Sequence, residues 1–155
     1  MILRTTGLIA AAICLILAGV YLSEREKRAG RDLSLLYSLL THLRREIGYR
    51  RTALPACFST FFSANPHPSC EAFIAGDYAR ALSHFLLPQA LGASLTSFFA
   101  LLGRGEAREE EKRVEEMLGV IAEYQKNSAE SSPGKRKVYI TLGICAAAVL
   151  LLLFL

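Results

Sequence analysis

The sequence predicts an all-α protein: a small antiparallel helical bundle flanked by an N-terminal and a C-terminal transmembrane helix. Three observations carry this expectation. Apolar residues in the middle of the chain recur every three or four positions, the period of one helix face. No stretch alternates with period two for long enough to make a strand. The charge is confined, because every charged residue of the 155 except Arg4 falls between positions 23 and 137. The chain therefore divides into an anchor at 1–22, a cytosolic helical domain at 23–137 and a second anchor at 138–155.

Each apolar run, "TTGLIAAAICLILAGVYL" and the segment 138–155, holds eighteen residues. As helix that is roughly 27 Å, enough for a thin hydrocarbon core. A cleaved signal peptide is the alternative for the first run, but only Arg4 precedes it and no small-x-small site follows it. Basic residues set the orientation: Arg25, Lys27, Arg28 and Arg31 follow the first run, and Lys135, Arg136 and Lys137 precede the second. Both flanks place the middle in the cytoplasm. There Cys57 and Cys70 are expected to be reduced, while Cys14 and Cys145 lie in the apolar runs as small hydrophobes. The competing reading is an exported domain with a Cys57–Cys70 disulfide and a lipid-anchored tail.

Within the middle, Leu33, Leu36, Leu39, Leu40, Leu43 and Ile47 form one apolar helix face, opposed by Asp32, His42, Arg44, Arg45 and Glu46. This helix continues from the first anchor, with Gly30 as a weak interruption. It ends near "YRRTALP", where Thr52 is placed to cap and Pro55 to open a second helix reaching about Phe62. "SANPHPS" reads as a loop, since its two prolines remove backbone donors. "CEAFIAGDYARALSHFLL" reads as helix on both sides of Gly76, with Asp77 capping the second piece.

Pro88 and Gly92 punctuate, and "SLTSFFALLG" is a further helix closed by Gly103 as a left-handed cap. From Glu106 to about Asn127 runs a polar helix whose apolar face is Val114, Met117, Leu118 and Ile121. Its acidic run reads as a solvated face, with Glu109 and Arg113 at pairing distance. Pro133 is expected to interrupt the helix before the second anchor.

Little in the chain points to catalysis. His42, His67 and His84 are scattered and sit in no nucleophile or metalloprotease pattern. Cys57, His67 and Cys70 lack paired zinc-ligand spacing and a fourth ligand. "GRGEAR" has two glycines but no Lys-Ser/Thr and follows a helix, so it is not a phosphate loop. Acids and bases are interspersed, and the net charge of +4 is too slight for a nucleic-acid face. The expectation is a non-enzymatic protein without cofactor or metal, which presents a helix face to partners beside a membrane.

Three stretches in order carry a family resemblance. Glu46, Ile47, Tyr49, Thr52 and Leu54 match E-I-x-Y-x-x-T-P-L; Phe98, Leu102 and Gly103 match F-x-x-x-L-G-x-x-D, with Glu106 for the aspartate; Lys137, Leu142 and Gly143 match K-x-x-x-x-L-G. With two anchors around them, these stretches make the chain resemble the stage III sporulation protein AB family, over most of its length. The family's proline falls at Ala53 here, and the glycine after its tyrosine at Arg50.

The resemblance implies a soluble domain similar to the cytoplasmic domain of the type II secretion F protein. It also implies a platform subunit in the mother-cell membrane surrounding the forespore. There the chain would couple a secretion-type ATPase, like stage III sporulation protein AA, to the other membrane subunits. Glu46, Tyr49, Gly103 and Glu106 are then the candidate partner-contact or bundle-defining residues. The alternative from a different class is a generic membrane-tethered helical adaptor.

Overall fold

The computed structural model describes the backbone of residues 2–49 and 53–154; side chains are described for 13, 14, 17–48, 53–130 and a subset of positions between 138 and 149. Six helices make up the described chain: α1 (Ile2–Tyr49), α2 (Leu54–Ala64), α3 (Cys70–Ala75), α4 (Tyr78–Ser83), α5 (Gln89–Leu101) and α6 (Ala107–Phe154). No strand occurs among the described residues, so the all-α class holds.

The chain divides into two compact units, residues 31–126 and the two ends together, 1–30 with 127–155. Among the described residues, no helix is long and apolar enough to cross a membrane. Many side chains of the two expected anchors lie outside the described residues.

In unit 31–126 the leucine stripe does what its spacing predicts: Leu33, Leu36, Leu39, Leu40 and Leu43 are buried, with Ile47 packed at the edge. From α6 the matching stripe is Val114, Leu118 and Ile121. Arg44 of α1 pairs with Glu111 and Glu115 of α6, at 3.9 and 3.2 Å, whereas Ser34 meets Gln125. As one number falls the other rises, so these two helix stretches run antiparallel. The ion pairs are exposed and contribute little stability.

The short helices supply an aromatic centre. Phe58 of α2, Phe73 of α3 and Phe99 of α5 are fully buried. Their ring centroids lie 5.1 Å (Phe58–Phe73), 5.2 Å (Phe73–Phe99) and 6.1 Å (Phe58–Phe99) apart. Tilted and edge-on pairs at such distances add to the burial itself. Tyr78 of α4 stacks on Phe99 at 5.5 Å, which brings the first residue of α4 to the same cluster.

Several local expectations hold and others are corrected. Gly76 ends α3 at φ 79°, and the Asp77 side chain accepts the Arg80 N–H at 3.1 Å, so this break is capped as expected. The loop from Asn65 to Ser69 separates α2 from α3.

The N-cap of α2 is Ala53, with no side-chain cap bond, rather than Thr52, which lies outside the described residues. Pro55 in the first turn needs no N–H partner and presets φ, which lets α2 start without a capping side chain. α5 begins after Pro88 and runs through Gly92. One glycine costs a helix about 1 kcal/mol, which the burial of Leu91, Leu95 and Phe99 on the same helix outweighs. α6 likewise runs through Pro133. A proline deletes one backbone bond, and long helical stretches on either side supply the rest.

Candidate functional site

A concavity lies at the corner between α5 and α6 in unit 31–126. α5 ends at Leu101; Leu102 then takes φ −64° and ψ 134°, and Gly103 φ 86°. Those are the angles of a type II turn, whose third residue must accept positive φ. Gly103 therefore has the positive φ that the sequence suggested for it just past the end of α5, here as the third residue of the turn that leads toward α6. It is also tightly seated: a Cβ there would lie 2.8 Å from Leu54 Cδ1. α6 starts two residues past Gly105, and the Glu106 carbonyl accepts the Glu110 N–H at 3.0 Å, the first turn of the new helix.

Around this corner lies a concavity of about 670 Å³, lined by Ile47, Leu54, Gly103, Gly105, Glu106, Ala107, Arg108 and Glu110. Two of the expected residues, Gly103 and Glu106, thus line one concavity. Ile47, near the end of α1, also lines it. Tyr49 lies in the last turn of α1, and its side chain is outside the described residues.

Glu46 is not among the described lining residues. It is only 8% exposed, a correction to its placement on the polar face of α1. Position 46 is three beyond Leu43 and seven beyond Leu39, which puts it back on the buried stripe. Its carboxylate stands close enough to Cys57 to act on the thiol: burial first, and Glu46 second, push the Cys57 thiol up from 9.0.

The residue that the sequence reading passed over is Glu110. Treated as part of a solvated acidic run, it is 3% exposed. Its Oε1 accepts the Gly105 N–H at 2.8 Å, and its Oε2 is buried with no hydrogen-bond partner. Arg113 pairs with Glu110 at 3.8 Å, where the sequence suggested Glu109. The signal was present in the spacing. Glu110 lies four residues before Val114 and eight before Leu118, on the stripe that faces the core. A carboxylate in the first turn of a helix is favoured by the unpaired N–H groups there, which offsets part of its burial.

The histidines and cysteines lie away from this corner's described lining. His67 stacks on Phe85 at 4.4 Å, its Nδ1 lies 2.7 Å from Ser69 Oγ, and it accepts the Ser69 N–H. Burial lowers its pKa from 6.5, the nearby Asp32 opposes that, and His84 adds a smaller lowering. Asp32 itself accepts the Leu86 N–H at 2.8 Å and so ties α1 to the loop after α4. Cys57 is buried and Cys70 partly so, and no disulfide joins them. No group of three metal-ligating side chains occurs among the described residues.

His42 rests against the Phe61 ring at 5.7 Å, with Arg45 at 3.3 Å from its Nδ1. Of the basic flanks, Arg25, Lys27 and Arg28 are exposed on α1, with Lys27 paired to Glu24 at 2.7 Å. The side chains of Lys135, Arg136 and Lys137 lie outside the described residues. Comparison with protein-family models, with curated proteins and with solved structures finds no match to this chain.

Proposed function

We propose that this protein is a non-enzymatic membrane platform subunit of the stage III sporulation protein AB type. In this reading the helical unit lies in the mother-cell cytoplasm, beside the membrane that surrounds the forespore. It couples a secretion-type ATPase, like stage III sporulation protein AA, to the other membrane subunits of a transenvelope complex.

The observation that carries the membrane part is the exposure of large apolar side chains along both terminal segments. Ile13, Leu17, Val20, Tyr21 and Leu22 at one end, and Val138, Leu142, Ile144 and Val149 at the other, are all exposed. Water penalises such a surface and a lipid environment does not. The only charged residue in 1–22 and 138–155 is Arg4, and the basic flanks orient both ends the same way.

The family part rests on the three ordered sequence stretches, two of which meet at the α5–α6 corner through Ile47, Leu54, Gly103 and Glu106. Two experiments test the reading. With Cys14 and Cys145 replaced by alanine, an impermeant thiol reagent is applied to intact cells under conditions that label Cys70 after lysis. Protection of Cys70 until lysis supports the cytoplasmic placement, and labelling of intact cells overturns it. Charge reversal at Glu46 is expected to weaken both ATPase pull-down and sporulation. Unchanged values for both, with normal protein levels, remove Glu46 from the contact.

A further inference from the structure

We infer that the concavity at the α5–α6 corner is a receptor for an arginine side chain of a partner polypeptide, with Glu110 as its counter-charge. The site is built from three features. Its walls include the aliphatic surfaces of Ile47, Leu54 and Ala107, which suit the methylene stem of a long basic residue. Its polar lining is acidic on balance, with Glu106 and Glu110 against Arg108.

The third feature is the buried carboxylate itself. Glu110 Oε2 has no hydrogen-bond partner, although the residue is 97% removed from solvent. A buried acceptor left unmade costs free energy that a donor restores. Arg113 does not supply that donor: its Nη1 stands 3.8 Å from Oε1, too far for a hydrogen bond, on a half-exposed side chain. A guanidinium offers a planar fork of donors that pairs with both oxygens of one carboxylate, which an ammonium cannot do.

The Gly105 amide already donates to Oε1, so a guanidinium arriving at the carboxylate must share or displace that bond. Glycine at 105 keeps the approach open, since a Cβ there would lie 3.0 Å from Glu110 Oε1. The inference concerns the chemistry of the occupant and does not depend on the partner being an ATPase. Failure of the pull-down and failure of the following experiment are therefore separate results.

The test uses the full chain in detergent micelles, labelled with nitrogen-15, and follows the Gly105 amide. Nα-acetyl-arginine amide is titrated in, with Nα-acetyl-citrulline amide as its uncharged isostere. The expected result is a saturable Gly105 shift with millimolar affinity for the arginine probe, at least about tenfold weaker for citrulline, and lost in Glu110→Gln. Arg108→Ala removes the competing cation of the lining while leaving Glu110 intact, and is expected to tighten binding. That variant decides the matter if Glu110→Gln proves unfolded. No saturable shift with the arginine probe, an equal shift with citrulline, a response retained in folded Glu110→Gln, or affinity unchanged in Arg108→Ala would each overturn the inference.

Discussion

Replacing Gly103 by alanine should be among the most damaging small changes at the corner. Two costs arise from the geometry. The backbone sits at φ 86°, where an L side chain pays about 1–2 kcal/mol. The new Cβ would also stand 2.8 Å from Leu54 Cδ1, well inside a normal carbon contact. Because that atom ends a flexible side chain, relief comes from swinging Leu54 out of its partly buried seat, at about 1 kcal/mol, the low end for overpacking. Together these give a loss of about 2–3 kcal/mol, a large share of the stability of a typical domain.

The assay is urea unfolding of the full chain in mild detergent, followed by the near-ultraviolet signal of Tyr78 against Phe99. Two further variants separate the costs. Gly103→Asn keeps the clash but tolerates positive φ better, so it should lose less than Gly103→Ala. Leu54→Ala removes the clash, so the double variant with Gly103→Ala should lose less than the sum of the two singles. Gly103→Ala within about 0.5 kcal/mol of the parent, the range of an ordinary surface change, would refute the reasoning.

Two titrating groups give further expectations. His67 has its native pKa lowered below 6.5, chiefly by burial. The unfolded chain takes up the proton first on acidification, so the stability His67 contributes is present above pH 6.5 and lost as pH falls through the depressed native value. Unfolding midpoints should fall between about pH 7.5 and about pH 5.5, and fall less in His67→Gln; parallel profiles for the two proteins would contradict this.

For Cys57 the sign is opposite. Its thiol is raised above 9.0 by burial and then by Glu46, so its contribution is present below pH 9.0 and lost as pH rises toward the native value. In a variant lacking Cys14 and Cys145, an alkylating reagent should modify Cys70 well before Cys57, and equal native rates would exclude the burial.

The stripes were legible because helix period alone fixes which residues share a face. Leu33 through Leu43 and Val114 through Ile121 needed no tertiary information. The break at Gly76–Asp77 was equally plain, since a left-handed residue followed by a capping carboxylate is a local device. Glu46 and Glu110 were misread for the converse reason. Their positions lie on those stripes, but their charge argued for solvent, and only the assembled core shows that position prevailed.

At the α5–α6 corner the sequence determined that Gly103 must bend the chain. The pressure of Leu54 and the meeting of Ile47 with Glu106 were decided by tertiary structure, because they join residues more than forty positions apart. The same division holds for the aromatic centre. Its phenylalanines are visible in the sequence as apolar members of separate short helices, and no local rule says that Phe58, Phe73 and Phe99 share one contact. Periodicity encodes which face of a helix turns inward; which other faces it meets there depends on how the loops fold the helices together.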